Sequence, residues 1–326
     1  MARLPNALAL TEADWDGKLS RARELARACR LCPHRCGIDR LAGQKGRCGA
    51  GGELRISSVF PHHGEEPPLS GTGGSGTAFF SHCTLRCVFC QNWQLSHNGE
   101  GQEYTVDEFA QQLMVLQQRG CHNVNLVTPG HFLPWVLDGL HRACRDGLRL
   151  PLVYNCGGYE TPECLEVLDG VVDIYLPDMK YGKDREAAEF SGATDYVSVN
   201  QEAIRLMFRQ VGPLRLDSDG VAVSGLCIRH LVLPNDAAGS SLVVAFLAAA
   251  FDPGDITVSV MAQYRPLHRA GEHPAINRPV TAAEYRQARD AFRDAGFDGF
   301  YQNVQELDSS FVIDFTRRKH ERLDGH

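Results

Sequence analysis

Thr77-Ala78-Phe79-Phe80-Ser81-His82-Cys83-Thr84-Leu85-Arg86-Cys87-Val88-Phe89-Cys90-Gln91-Asn92-Trp93 opens as a short apolar run and breaks into a loop with three cysteines. The run, Ala78–Ser81, reads as a buried strand. The cysteines follow it directly, spaced C-x3-C-x2-C. That position is the C-terminal edge of a strand, where parallel α/β folds place their chemistry.

Downstream the same pattern repeats. Apolar runs at Asn123–Thr128, Leu152–Asn155, Val172–Pro177, Cys227–Pro234 and Ile256–Ala262 read as further buried parallel strands. Helical patterns separate them at Val106–Arg119, Leu133–Asp146, Pro162–Leu168, Arg185–Phe190 with Gln201–Gln210, and Gly239–Ala250. A last helix, Thr281–Ala295, starts with Thr281 and Glu284 at capping-box spacing. Six βα units with right-handed crossovers are too few to close an eight-fold barrel, so the expected fold is α/β, a partial (β/α)6 barrel.

Upstream, a helix is expected over Glu12–Ala28 with Thr11 as its N-cap. The cysteine-rich segment Cys29–Cys48 follows, then the Pro/Gly-rich run Pro61–Thr77, which is expected to hold neither a helix nor an interior strand. The chain therefore divides into an N-terminal segment, residues 1–76, and a core with a C-terminal extension, residues 77–326. The charged tail Arg317–His326 is expected to fray.

Composition is that of a soluble globular protein, with 43% hydrophobic and 22% charged residues among 326. A net charge of −7 argues against a nucleic-acid partner. No apolar stretch is long enough for a transmembrane helix, and the N-terminal stretch, interrupted by acidic residues, does not read as a signal peptide. A cytoplasmic protein is expected. There the 12 cysteines are thiols rather than disulfides, and clustered thiols read as metal or iron–sulfur ligands. Cys121, Cys144, Cys156, Cys164 and Cys227 are scattered and read as small buried hydrophobes.

Two clusters remain. Cys83, Cys87 and Cys90 suit three irons of a [4Fe–4S] cube and leave the fourth iron without a protein ligand, the mark of a catalytic site. The competing reading, zinc with a distant fourth ligand, fits C-x3-C-x2-C poorly. Cys29, Cys32, Cys36 and Cys48 supply four thiolates within 20 residues, enough to close either a zinc site or a second iron–sulfur cluster.

The loop Cys83–Cys90, with Phe89 before its last cysteine, resembles the signature of the radical SAM superfamily, and the resemblance runs from about Thr77 to Ala262. More narrowly the chain is similar to the pyruvate formate-lyase activating enzyme branch, and within it to a PflX-like group that joins the N-terminal cysteines, the run H-x-G-E-E-P-x-L-S-G (His62–Gly71) and the F-C-Q-N loop. The resemblance implies S-adenosylmethionine (SAM) chelated to the open iron. It also implies an electron donor such as flavodoxin or ferredoxin, and reductive cleavage of SAM to a 5′-deoxyadenosyl radical that takes hydrogen from a substrate. A glycyl-radical partner protein and a small molecule are both admissible substrates.

The same resemblance assigns candidate contacts for SAM. Phe89 would shield the cluster or stack on the ligand. Thr128, Gly130 and His131 stand where related enzymes carry a Gly-Gly-Glu stretch for the amino group, and that stretch is missing. Asn155 takes the place of an acid that helps bind a cation, and Asp178 and Lys180 match a D-x-K segment. Arg229, rather than its neighbour His230, is expected to point inward, because successive strand residues face opposite ways. Gln263 and Tyr264 either close over the substrate or pack the rim. A protein that merely carries electrons, with no SAM chemistry, is the alternative function.

Overall fold

The computed structural model describes residues 4–303, Ile313 and Phe315; the tail Arg317–His326 lies outside the described residues. The expected βα repeats are present. Strand β1 (Leu54–His62) and helix α2 (Pro67–Ser70) lead into β2 (Ser75–Phe80), preceded far upstream by α1 (Glu12–Arg27). After the cysteine loop come α3 (Trp93–Ser96), β3 (Gln102–Tyr104), α4 (Val106–Gln118), β4 (Val124–Val127), α5 (Leu133–Arg145), β5 (Leu152–Cys156), α6 (Pro162–Leu168) and β6 (Ile174–Pro177). The chain continues through α7 (Asp184–Ser191), α8 (Tyr196–Val211), β7 (Arg215–Leu216), β8 (Ala222–Leu231), α9 (Ser240–Ala250), β9 (Thr257–Met261), α10 (Ala282–Asp294) and β10 (Asp298–Tyr301).

These strands form one sheet in the order β10-β9-β8-β6-β5-β4-β2-β1-β3, with β7 hydrogen-bonded to β8. From β2 to β10 every neighbour is parallel; β1 joins β2, and β3 joins β1, antiparallel. The order does not return on itself, so the barrel is unclosed, and its concave face is the lumen. Thr11, Thr105 and Thr281 each close a capping box, on α1, α4 and α10, together removing orphan amide donors worth about 1 kcal/mol per cap.

The sheet is larger than six strands. β1, β3 and β10 were not expected, because each is made by pairing with a distant strand rather than by a clear local pattern. β8 likewise starts five residues earlier than the apolar run, at Ala222, where β7 hydrogen-bonds it.

The Pro/Gly-rich run also departs from expectation. It contains the last residues of β1, all of α2 and the start of β2. Pro61 is tolerated in β1 because β3 pairs only Leu54–Ile56, so no partner strand needs an amide there. Pro67 opens α2, where its missing N–H would be unpaired in any case. The run crosses the end of the barrel opposite the cysteine loop. Asn123 Nδ2 donates to Leu69 O at 2.8 Å, and His122 Nε2 accepts from the Gly73 amide at 2.8 Å. A side chain at Gly73 would meet the Gly120 carbonyl at 2.2 Å, so only glycine permits this approach. Leu69 packs on Val153, Ile174, Leu176, Ala222 and Cys227 and seals the floor.

The N-terminal segment docks on the helix layer beside the loop. The Asn6 amide donates to Asp173 at 2.8 Å, His34 meets Thr84 O at 3.0 Å, and Arg47 donates to Gly192 O at 3.1 Å.

Candidate active site

The cysteine loop leaves β2 at Phe80 and turns through His82 and Arg86, both with positive φ (68° and 50°). Backbone bonds hold it in place: Val88 N to Phe190 O, and Arg269 N to Val88 O, each at 2.8 Å. Leu85, Cys87 and Phe89 are buried in a small core with Tyr159, Tyr181 and Tyr196. The three thiols face one another closely enough to interact. Burial, then repulsion from Cys87, pushes the Cys83 thiol up to about 12, and the same two effects push Cys90 up to about 11. Ser191 Oγ donates to Cys87 Sγ at 2.9 Å, and Ser96 Oγ donates to Cys90 Sγ at 3.2 Å. Lys180 is the nearby cation that favours a Cys90 thiolate.

Beneath the loop the lumen holds a cavity of about 590 Å³. Gln91 and Asn92 of the loop, Phe79, Val127, Asn155, Arg229, Ser259 and Met261 of the strands, and Glu65 and Glu66 of the floor line it. One polar chain crosses its wall. Lys180 Nζ donates to Asp178 Oδ2 at 2.5 Å, Arg229 Nε donates to Asp178 Oδ1 at 2.8 Å, and Arg229 Nη2 donates to Asn155 Oδ1 at 2.6 Å. Arg229 Nη1 lies 3.7 Å from Glu65 Oε2. Burial opposes the charge on Asp178, but Arg229 and Lys180 outweigh it and hold the carboxyl below its ordinary value. The backbone builds this geometry: Asp178 N reaches Cys156 O and Met179 N reaches Arg229 O, splicing the end of β6 between β5 and β8.

Arg229 thus faces the lumen, and His230 faces the helices. His230 Nδ1 lies 2.7 Å from Met179 O and Nε2 lies 2.9 Å from Ser240 Oγ, and burial lowers its pKa to about 4.

Six of the expected contacts do not line the cavity: Asp178 and Lys180, joined to it only through Arg229, and Phe89, Thr128, Gly130 and His131. Phe89 is buried, its ring edge-on to Tyr264 and Tyr181 at 5.6 and 6.4 Å between centroids. Thr128 takes a left-handed turn (φ 59°) and its amide is bonded to Asn155 O at 2.7 Å. Gly130 lies against Tyr154 and Glu160, where a Cβ would come within 2.7 Å of the tyrosine hydroxyl. His131 turns under the loop, Nε2 2.8 Å from Ser81 O, and burial lowers its pKa to about 3. Pro129 starts a short 3-10 turn here, which carries these residues away from the lumen. Tyr264 is likewise buried, bonded to Ile276 O at 2.6 Å, whereas Gln263 reaches the cavity and accepts from Gln91 Nε2 at 2.8 Å.

Glu65 and Glu66 are the functional candidates that residue-level reading missed. They stood inside the quoted run His62–Gly71, and two adjacent acids between a glycine and two prolines were the available signal.

The four N-terminal cysteines form a separate group. Burial raises the Cys32 and Cys48 thiols, and each also feels Cys29. Cys36 Sγ accepts from the Arg47 amide at 3.5 Å, and the buried Arg40 lies 3.9 Å from Cys48 Sγ while its guanidinium holds Gly51 O. Among the described residues, no three His, Cys, Asp or Glu side chains close on a point that would hold one metal ion. No described helix is long and apolar enough to cross a membrane.

A family profile described as the radical SAM superfamily matches residues 77–210. The chain is 30% identical over 294 residues to the uncharacterized protein MJ0674 of Methanocaldococcus jannaschii, covering 88% of this chain and 80% of that protein. Among solved structures it is similar to methylornithine synthase (PylB), with 12% identity, a TM-score of 0.45 and coverage of 97% of this chain and 87% of that one. It is similar also to HydG, a maturase of the [FeFe]-hydrogenase, with 12% identity, a TM-score of 0.46 and coverage of 97% and 68%.

Proposed function

This chain belongs to the radical SAM superfamily, and from that premise we propose that Cys83, Cys87 and Cys90 hold the [4Fe–4S] cluster of an enzyme that takes hydrogen from a substrate in the lumen. The observation that carries the reading is the donor set. Three thiols gathered at the mouth of the lumen, with the Cys87 and Cys90 sulfurs each accepting a serine hydroxyl, are a soft donor set, and burial keeps Cys83 and Cys90 protonated until a cationic centre takes the proton's place. A cube offers each sulfur its own iron, so the three need not converge on one ion.

When bound and reduced by flavodoxin or ferredoxin, the cluster supplies the electron that cleaves SAM to a 5′-deoxyadenosyl radical. The protein's own residues do the rest. Asp178, pinned between Lys180 and Arg229, is an anchored acceptor for the hydroxyl or ammonium groups of SAM. Asn155 presents a side-chain amide to a ribose or carboxylate. The Leu69 plug closes the lumen at one end, which limits the access of water to a reactive intermediate. The second thiol set, Cys29, Cys32, Cys36 and Cys48, takes a second cluster, which offers each sulfur its own iron, or zinc once the four thiols draw together on it, and stiffens the segment against the loop. A glycyl-radical partner protein of the activating-enzyme kind is the first substrate to try.

The experiment is anaerobic reconstitution with iron and sulfide, reduction, and addition of SAM. Formation of 5′-deoxyadenosine is expected. A reduced, iron-loaded protein that leaves SAM intact returns the chain to electron transfer.

A further inference from the structure

Among the described residues, the floor of the lumen carries charge that the polar wall does not balance. Glu65, Glu66 and Asp178 face Lys180 and Arg229, three carboxyls against two cations. Glu65 is close to Arg229, and Asn125 adjoins it. Glu66 differs. It lines the cavity and is only 9% exposed; its carboxyl meets Ser259 and Glu65, yet its Oε2 has no hydrogen-bond partner among the described residues. A buried carboxylate oxygen left open is costly, so such atoms face a ligand or water.

The floor also lies far from where SAM is expected to chelate iron. His62 pairs with Ser75, the first residue of β2, whereas the cysteine loop follows Phe80, the last. Five strand steps separate the two ends, roughly 17 Å at about 3.3 Å each. The amino group of a cluster-bound SAM therefore does not reach Glu66. A metal ion is a poor occupant, since the described residues bring no third ligand to the pair and Arg229 stands beside it. An ammonium group needs only one carboxylate and a neighbouring hydroxyl, and Ser259 borders both Glu66 and the cavity.

We propose that Glu66, on the lumen floor, recognises a primary ammonium group on the substrate, with Glu65 and Ser259 beside it. This names a substrate class for the proposed hydrogen abstraction and rests on that reading. Burial pushes both floor carboxyls above their ordinary values, Arg229 opposing, so a proton shared by the pair is the competitor that the ammonium must displace.

The probe is n-butylammonium chloride, with 1-butanol as its neutral analogue, bound to the full-length reconstituted protein without SAM and followed by calorimetry. Butylammonium is expected to bind about tenfold tighter than butanol, and Glu66→Gln to erase that difference. Glu65→Gln, whose partner Arg229 remains, is expected to weaken it less. Equal binding of the two probes by the wild type overturns the proposal even if Glu66→Gln does not fold, as does a preference that survives in a folded Glu66→Gln. SAM cleavage measured separately on the wild type decides the enzymatic reading, so a failure there is distinguishable from a failure at the floor.

Discussion

Arg229 donates through Nε to Asp178 Oδ1 at 2.8 Å, and these two residues, 51 positions apart, join the end of β6 to the C-terminal part of β8 at the wall of the lumen. The same guanidinium reaches Asn155 on β5 and lies beside Glu65 on the floor. One side chain therefore ties wall to floor, and Asp178 is the carboxyl that acts on its charge most strongly, ahead of Glu66 and Glu65.

Asp178→Asn removes the anion that faces Arg229 and Lys180. Lys180 then loses its carboxylate partner and Arg229 its charge-assisted hydrogen bond, with only Glu65 and Glu66 left beside it, and stability falls by about 3 kcal/mol, read from denaturant unfolding. SAM affinity of the reconstituted protein also drops while iron content stays level. Unchanged affinity would leave Asp178 a purely structural anchor.

Cys87→Ala takes the central thiol from the loop. Loop iron, its charge-transfer absorption and 5′-deoxyadenosine formation are all lost, and the metal of the N-terminal set remains. Retention of full iron and SAM cleavage would falsify the ligand assignment.

The N-terminal thiols are tested by metal analysis of Cys32→Ala. One equivalent of zinc, or the iron of a second cluster, disappears from the purified protein, and the loop cluster still forms. The melting temperature falls because the segment that touches Thr84 and Gly192 loses its internal tie. Identical metal content in variant and wild type is the outcome against this assignment.

His230 supplies a pH dependence of stability. Met179 O can only accept, so the neutral ring carries its proton on Nδ1, and Nε2 accepts from Ser240. Its pKa falls from 6.5 unfolded to about 4 folded, chiefly through burial. The unfolded chain then binds the extra proton first, so stability is lost as pH drops below 6.5 and levels off below about 4. By linkage this ring costs about 2 kcal/mol between pH 7 and pH 5. His230→Gln is expected to shrink the difference in unfolding free energy between those pH values by that order. An equal slope in both proteins would remove His230 as the source.

The repeating βα pattern and the three-cysteine loop were legible in the sequence because both are local. Buried parallel strands are continuous apolar runs, helix starts carry their own caps, and three thiols within eight residues stay together in any fold that places a loop there. The inward face of Arg229 followed from strand alternation for the same reason. What only the tertiary structure decided is what depends on distant partners. β1, β3 and β10 exist because other strands pair with them, and the Pro/Gly-rich run became a floor because Asn123 and the strand interiors receive it. His131 and Phe89 left the lumen because Ser81 O and a tyrosine-rich core claimed them. Glu65 and Glu66 entered it for the converse reason: the closing of that floor carried two ordinary-looking acids into the barrel, where burial gives their charge a meaning that no local pattern holds.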